Sequence, residues 1–263
     1  MRTIFTNKEI CKQQKLIKKH SFHNHTHMKL RSAFLGLFTL LLLCSFMTYN
    51  PKAHRELPPV LNDYIENAKK DFDKITADRK EQLKKIASYI QTKLAAEKKA
   101  SLIFICTHNS RRSHMGQLWA YAAANYYGIK IISSFSGGTE ATAFHPNAIK
   151  ALTNAGFSIT QKGEGSNPKY EVKYATDEPA VTLFSKKYTD SPNPTTNFAA
   201  VMTCAHADST CPIVLGAATK IAIPYEDPKQ ADGKPNQDEV YNERCKQIAT
   251  EILYAFSLVK DVK

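Results

Sequence analysis

Residues Ser101–Ser113 read SLIFICTHNSRRS, an apolar run that stops at a cysteine and is followed six positions later by an arginine. The run is short, rich in branched and aromatic residues, and bounded by lysines on one side and a polar loop on the other. That pattern predicts a buried parallel strand. From Ser113 the sequence HMGQLWAYAAANYY has the alanine content and apolar spacing of a helix. Cys106 therefore falls on a strand-to-helix turn, where loop N–H groups and the helix start converge into an anion nest. The helix terminus and Arg112 both favour thiolate there, and Ser113 can hydrogen-bond it. An oxyanion would dock on the same N–H groups, from Thr107, His108, Asn109, Ser110 and Arg111, with the planar fork of Arg112 taking two of its oxygens. Of the six cysteines, only Cys106 has an arginine six places on, which outweighs the reading of a packed strand-end cysteine beside a surface arginine.

CTHNSRRS is similar to the phosphate-binding loop of the low-molecular-weight protein tyrosine phosphatases and of the thioredoxin-coupled arsenate reductases built on the same fold. FSGGTEATAFHPNAIKALTNAGFSI, from Phe135 to Ile159, looks like the segment after the second strand in that superfamily. PYEDP places Asp227 before Pro228, similar to the aspartate-proline pair that supplies the general acid. The resemblance covers roughly residues 100 to 258, in the right motif order. It implies an α/β fold: a small, mainly parallel four-stranded sheet with helices on both faces. It also implies a Cys106 nucleophile, an Arg112 anion clamp and an Asp227 acid.

VMTCAHADSTCP, from Val201 to Pro212, separates two branches of that group. FAAVM reads as another buried strand, so Cys204 emerges at a strand end, where ligand sites lie in an open α/β sheet. Cys211 follows seven positions later. The reductases carry a redox pair at this spacing, typical phosphatases do not, and Ser110 also looks more like the reductases. The implied activity is thiol-dependent arsenate reduction through Cys106, Cys204 and Cys211, with thioredoxin or a similar dithiol as electron donor and no bound cofactor. The alternative is a tyrosine phosphatase working through a Cys106 phosphocysteine on phosphate esters. Such a relay needs the segment Ala205 to Thr210, small and polar, to be mobile. Two plainer readings compete for the pair: packing residues, or a zinc site with His206, for which only three ligands are visible nearby.

Some positions depart from the family. Arg111 stands where cysteine is common, and its charge is expected to strengthen anion attraction. Gln117 stands where an acid is common, so the monovalent-cation site of some reductases is not carried over and no metal is expected. NPKYEVKY and PAVTLFS alternate like strands, which predicts an inserted β-hairpin.

The formal net charge of +12 is concentrated before the catalytic part. Residues 1–32 form a basic tail with eight Lys/Arg and one acid, residues 51–100 carry twelve and eight, and residues 101–263 carry sixteen and fifteen. The catalytic part is nearly neutral, and the basic stretches lack aromatic interleaving, so nucleic acid is not an expected partner. Ala33–Tyr49 is uncharged and strongly apolar, about 25 Å long as a helix. It reads as a membrane anchor, or else a signal segment. With the basic tail held inside, an anchor would put the catalytic domain outside the cytoplasm; the alternative is a cytoplasmic protein.

From Leu57 to Lys99 the spacing is helical. Pro58 and Pro59 suit a helix start. Leu61, Tyr64, Ile65, Ala68 and Phe72 form one stripe, and Leu83, Ile86, Ile90 and Leu94 a second, with a break at Thr76 to Asp78. The expected organisation is tail (1–32), apolar segment (33–49), helical extension (57–99) and catalytic domain (100–263).

Overall fold

The computed structural model describes residues 57–97, 99–211 and 213–260. The basic tail and the apolar segment Ala33–Tyr49 lie outside the described residues. Among the described residues, no helix is long and apolar enough to cross a membrane.

Four strands form the main sheet: β1 (Ala100–Cys106), β2 (Ile132–Gly138), β6 (Phe198–Met202) and β7 (Ala217–Ala222). Their order is β2-β1-β6-β7, and every pairing is parallel. Parallel neighbours need crossovers, and helices supply the first of them. Strand β1 is buried along its whole length because both faces are covered. Leu102 and Phe104 point into one core and Ile103 and Ile105 into the other.

The larger core gathers the helices α1 (Pro59–Lys69), α2 (Ala77–Glu97), α3 (Arg112–Tyr126), α4 (Pro146–Asn154) and α6 (Gln237–Ser257). The opposite face carries the short α5 (Ala205–Thr210), with Val214 and Tyr188 packed beside it. Helices thus lie on both faces, unequally.

Helices α1 and α2 pack on the domain itself. Leu61, Ile65 and Ala68 of α1 and Leu83, Ile86, Ile90 and Leu94 of α2 are all buried in the larger core. Tyr64 stacks on Trp119 of α3 with ring centroids 5.3 Å apart. Fully burying such side chains is worth about 1.5–3 kcal/mol each, so the extension is an integral part of the core. The break falls slightly earlier than the sequence suggests: Phe72–Lys74 is a 3-10 turn, and α2 begins at Ala77.

Alternation in NPKYEVKY and PAVTLFS gives β4 (Lys169–Lys173) and β5 (Val181–Leu183), paired antiparallel as expected. The hairpin is also joined by β3 (Ser158–Lys162), making a second sheet of order β3-β4-β5. Beyond it the chain returns to the edge of β2. Gly138 N–H donates to Lys186 O and Tyr188 N–H donates to Gly138 O, each over 2.9 Å. The inserted segment therefore ends against the loop that follows Cys106.

Candidate functional site

Cys106 is the last residue of β1, 3% exposed, and α3 starts six residues later. Between them the chain folds back on itself. Asn109 takes a positive φ of 44°, a left-handed conformation that asparagine tolerates better than most residues. The carbonyls of the loop are held from outside. Thr139 N–H donates to Cys106 O, Glu140 N–H to Thr107 O and His145 N–H to Ser110 O. His108 O accepts from the hydroxyls of Thr142 and Ser185. Among the described residues, no N–H from Thr107 to Arg111 donates to a protein acceptor. With the carbonyls tied outward, the loop N–H groups are left for an anion.

Gly138 makes this packing possible. It pairs with Cys106 across the sheet. A Cβ there would lie 2.1 Å from Glu140 O, 2.6 Å from Thr107 O and 2.7 Å from Asn109 N.

A chain of hydrogen bonds fixes which way the Ser113 hydroxyl points. Asn109 is fully buried; its Oδ1 accepts from Lys186 N–H over 2.9 Å, so its Nδ2 donates to Ser113 Oγ, also over 2.9 Å. Ser113 Oγ lies 3.1 Å from Cys106 Sγ. Having accepted from Asn109, the hydroxyl keeps its own proton free to donate to the sulfur.

Arg112 is buried and held at two points. Its Nη1 donates to Tyr225 O over 2.7 Å, and its Nη2 donates to Asp227 Oδ2 over 2.6 Å. Asp227 Oδ1 accepts from Lys229 N–H, so the carboxylate caps the 3-10 turn Pro228–Ala231. Cys106, His108, Ser110, Arg111, Arg112 and Asp227 line one cleft.

The expectation for the Arg111 side chain needs correction. Rather than offering a second free charge to the anion, it donates to Tyr241 Oη and pairs with Asp232 Oδ2 at 2.7 Å. Tyr241 also donates to Asp232 Oδ1, and His145 Nε2 is 3.6 Å from Oδ2. Burial opposes ionisation of Asp232, but the Tyr241 hydrogen bond and the charges of Arg111 and His145 hold its carboxyl below the ordinary range. Burial and the charge of Arg111 push His145 below its usual value. Asp232, Tyr241 and His145 form a carboxylate-centred cluster around the Arg111 side chain. It is invisible in the sequence because its members are distant along the chain.

Cys204 sits beside the loop. Strands β1 and β6 are neighbours, with Ile105 opposite Met202, and Thr203 N–H donates to Ile105 O over 2.7 Å. Cys204 is 2% exposed, and its Sγ is 3.5 Å from Thr107 Oγ1. Cys211 is not brought to it. Ala205–Thr210, expected to be a mobile segment, is helix α5, with Cys204 as its N-cap and the partly exposed Cys211 as its C-cap. Cys204 Sγ accepts from Ala207 N–H over 3.3 Å. The two cysteines stand at opposite ends of the helix, about 10 Å apart by helical rise, whereas a disulfide needs Cα atoms within about 7 Å. Cys106, Cys204 and Cys211 are all free thiols. Among the described residues, no group of three or more His, Cys, Asp or Glu side chains is placed to hold a metal ion, so the alternative of zinc on Cys204, His206 and Cys211 finds no support. Gln117 turns its amide nitrogen onto Ser134 O over 3.1 Å.

An arsenate reductase of Bacillus cereus (strain 03BB102) is 28% identical over 156 residues, covering 58% of this chain and 96% of the relative. An arsenate reductase of Brevibacillus brevis is 28% identical over 132 residues, covering 50% of this chain and 79% of the relative. Over these spans the chain is similar to arsenate reductases. No family model matches it. Similar solved structures include a YwlE mutant from Bacillus subtilis, at 13% identity and a TM-score of 0.40 over 60% of this chain and 97% of that one. Another is a low-molecular-weight protein tyrosine phosphatase from T. tengcongensis, at 17% identity and a TM-score of 0.38 over 59% and 95%.

Proposed function

We propose that the chain is a thiol-dependent arsenate reductase that uses Cys106, Cys204 and Cys211 in sequence. The observation that carries this reading is the position of Cys204: a second free thiol at the end of the strand next to β1, in contact with Thr107, the residue after Cys106. The relatives named arsenate reductase support it. So does a cleft lined by polar residues and the Cys106 thiol, which suits a small inorganic oxyanion.

In this mechanism the Cys106 thiolate attacks arsenic while the loop N–H groups and Arg112 hold the remaining oxygens. Asp227 gives its proton to the departing oxygen, which leaves as water. Cys204 then attacks the Cys106 sulfur. A sulfur–sulfur bond forms, the arsenic–sulfur bond breaks, and its electron pair stays on arsenic, which leaves as arsenite. Cys211 attacks Cys204, freeing Cys106 and leaving a Cys204–Cys211 disulfide. That last step needs α5 to unwind, because the folded helix holds the two sulfurs apart. A thioredoxin-like dithiol then reduces the disulfide at the partly exposed Cys211.

The same intact helix favours a second reading. A phosphatase needs only Cys106, Arg112, Asp227 and water, none of which depends on α5 opening. One assay separates the two: purified full chain with arsenate, thioredoxin and thioredoxin reductase, compared with hydrolysis of an aryl phosphate. Arsenite formation coupled to reductant consumption is the expected result. Brisk ester hydrolysis with no arsenate reduction would replace this reading with the phosphatase.

A further inference from the structure

The segment from Ile223 to Asp227 has no regular secondary structure, yet it carries the Tyr225 carbonyl that holds Arg112 and the Asp227 carboxylate that faces it. Its position is fixed by groups outside it. On one side, Ile223 N–H donates to Met202 O and Tyr225 N–H to Thr203 O, continuing the pairing with β6. On the other side stands Arg79, from the helical extension. Thr76 Oγ1 accepts from Arg79 N–H at the start of α2, which sets Arg79 in its first turn. The Arg79 side chain then reaches the segment twice: Nη2 donates to Pro224 O over 3.1 Å, and the guanidinium lies over the Tyr225 ring at 4.8 Å. Its Nε is fixed by the buried Glu251 of α6, 2.8 Å away.

We infer that Arg79 is a positioning residue for the oxyanion clamp, and that the helical extension holds the site in register through it. The inference rests on the oxyanion-loop reading of Cys106 and Arg112. Pro224 has no N–H of its own to anchor the turn, and the Tyr225 ring is buried with Arg79 on its face. Without the guanidinium, the Pro224–Tyr225 unit loses both its hydrogen-bond donor and its cover. The Tyr225 carbonyl then no longer fixes Arg112. Only a planar fork can bond Glu251, bond Pro224 and stack on Tyr225 together, so lysine is not an equivalent.

The test uses the full chain and reads binding rather than turnover. Cys106 alkylation by iodoacetamide is followed at increasing inorganic phosphate, an oxyanion the thiols cannot reduce, and the half-protecting concentration is compared with the thermal midpoint of each variant. Arg79→Gln is expected to raise that concentration by roughly tenfold to a hundredfold, as displaced positioning groups do. Arg79→Lys keeps the ion pair with Glu251, so it should unfold near the wild-type temperature and still protect poorly. Glu251→Gln retains an acceptor for Arg79, so it should lower the midpoint while leaving protection close to wild type. Unchanged protection in a folded Arg79→Lys, or equal losses of protection in Arg79→Lys and Glu251→Gln, would overturn the inference alone. Absence of phosphate protection in the wild type would overturn the oxyanion reading and this inference with it.

Discussion

Arg112 and Asp227 share an ion pair at 2.6 Å, although the proposed chemistry assigns them to opposite ends of the reacting group. Arg112 must hold oxyanion oxygens and Asp227 must hold a proton. In the pair, Asp227 competes for the guanidinium. In the proposed chemistry an incoming oxyanion takes the place of the carboxylate on Arg112.

That relationship predicts opposite effects from one substitution. Asp227→Asn removes the competing charge, so arsenate or phosphate should protect Cys106 from alkylation at a lower concentration than in the wild type. Turnover should nevertheless fall about 100-fold or more, because the proton donor is gone. A phosphate ester with a very acidic phenol should be affected much less, since its leaving group needs no proton. Weaker oxyanion protection in this variant would show that Asp227 supports Arg112 rather than competing with the anion.

Gly138→Ala should disable the loop. The added methyl meets only backbone atoms, at 2.1–2.7 Å, and none of them can rotate away. Relief requires the Thr107–Asn109 turn or the Glu140 turn to move, and overpacking of this kind destabilises by roughly 1–3 kcal/mol. Denaturant unfolding should show that loss, and Cys106 alkylation should become insensitive to arsenate. A variant with wild-type protection would mean that the carbonyl anchoring of the loop is dispensable.

The relay predicts distinct dead ends. Cys204→Ser should stop after arsenate binds, because no thiol is left to displace arsenite. Cys211→Ser should complete one turnover and stall as a Cys106–Cys204 disulfide, visible by mass spectrometry after alkylation. Oxidised wild type should carry Cys204–Cys211 instead, with α5 opened and its amides rapidly exchanging. Unimpaired multiple turnover in either variant would remove the relay. Ester hydrolysis, by contrast, should survive both changes.

What the sequence makes legible follows the range of the interactions involved. The loop after β1 reads clearly because a buried strand, a polar turn and a helix are consecutive, and local pattern decides all three. The β4–β5 hairpin is visible because Tyr170 and Val172 are buried between exposed neighbours. Strand β3 is not, since Ser158–Lys162 is almost wholly exposed and carries no apolar face. Helix α5 escapes because AHADST is short and its cap is a cysteine sulfur, which lies outside the usual capping residues. The Arg111–Asp232 pair and the Arg79–Pro224 bond join residues 121 and 145 positions apart, a separation across which no local pattern points. Local pattern thus reaches the strand, turn and helix around Cys106, whereas the wiring of the charges required the fold.

Lys186 offers a prediction in pH. Its backbone N–H supports Asn109, but its side chain is buried against the Phe184 ring, with Nζ 4.9 Å from the ring centroid. Burial pulls the ammonium down to about 8, and Asp190 only partly opposes this. An unfolded lysine titrates near ~10.4. Below about pH 8 both states hold the proton, and the folded state bears the full penalty of a buried charge. Between about 8 and ~10.4 the unfolded chain binds a proton that the folded chain has released, so stability rises with pH. Lys186→Met removes the penalty while keeping the backbone bond to Asn109. Its thermal midpoint should therefore exceed that of the wild type at pH 7, and the difference should shrink towards pH 10. A variant less stable than wild type at pH 7, or a gap constant from pH 7 to 10, would show that the Lys186 charge is not disfavoured where it lies.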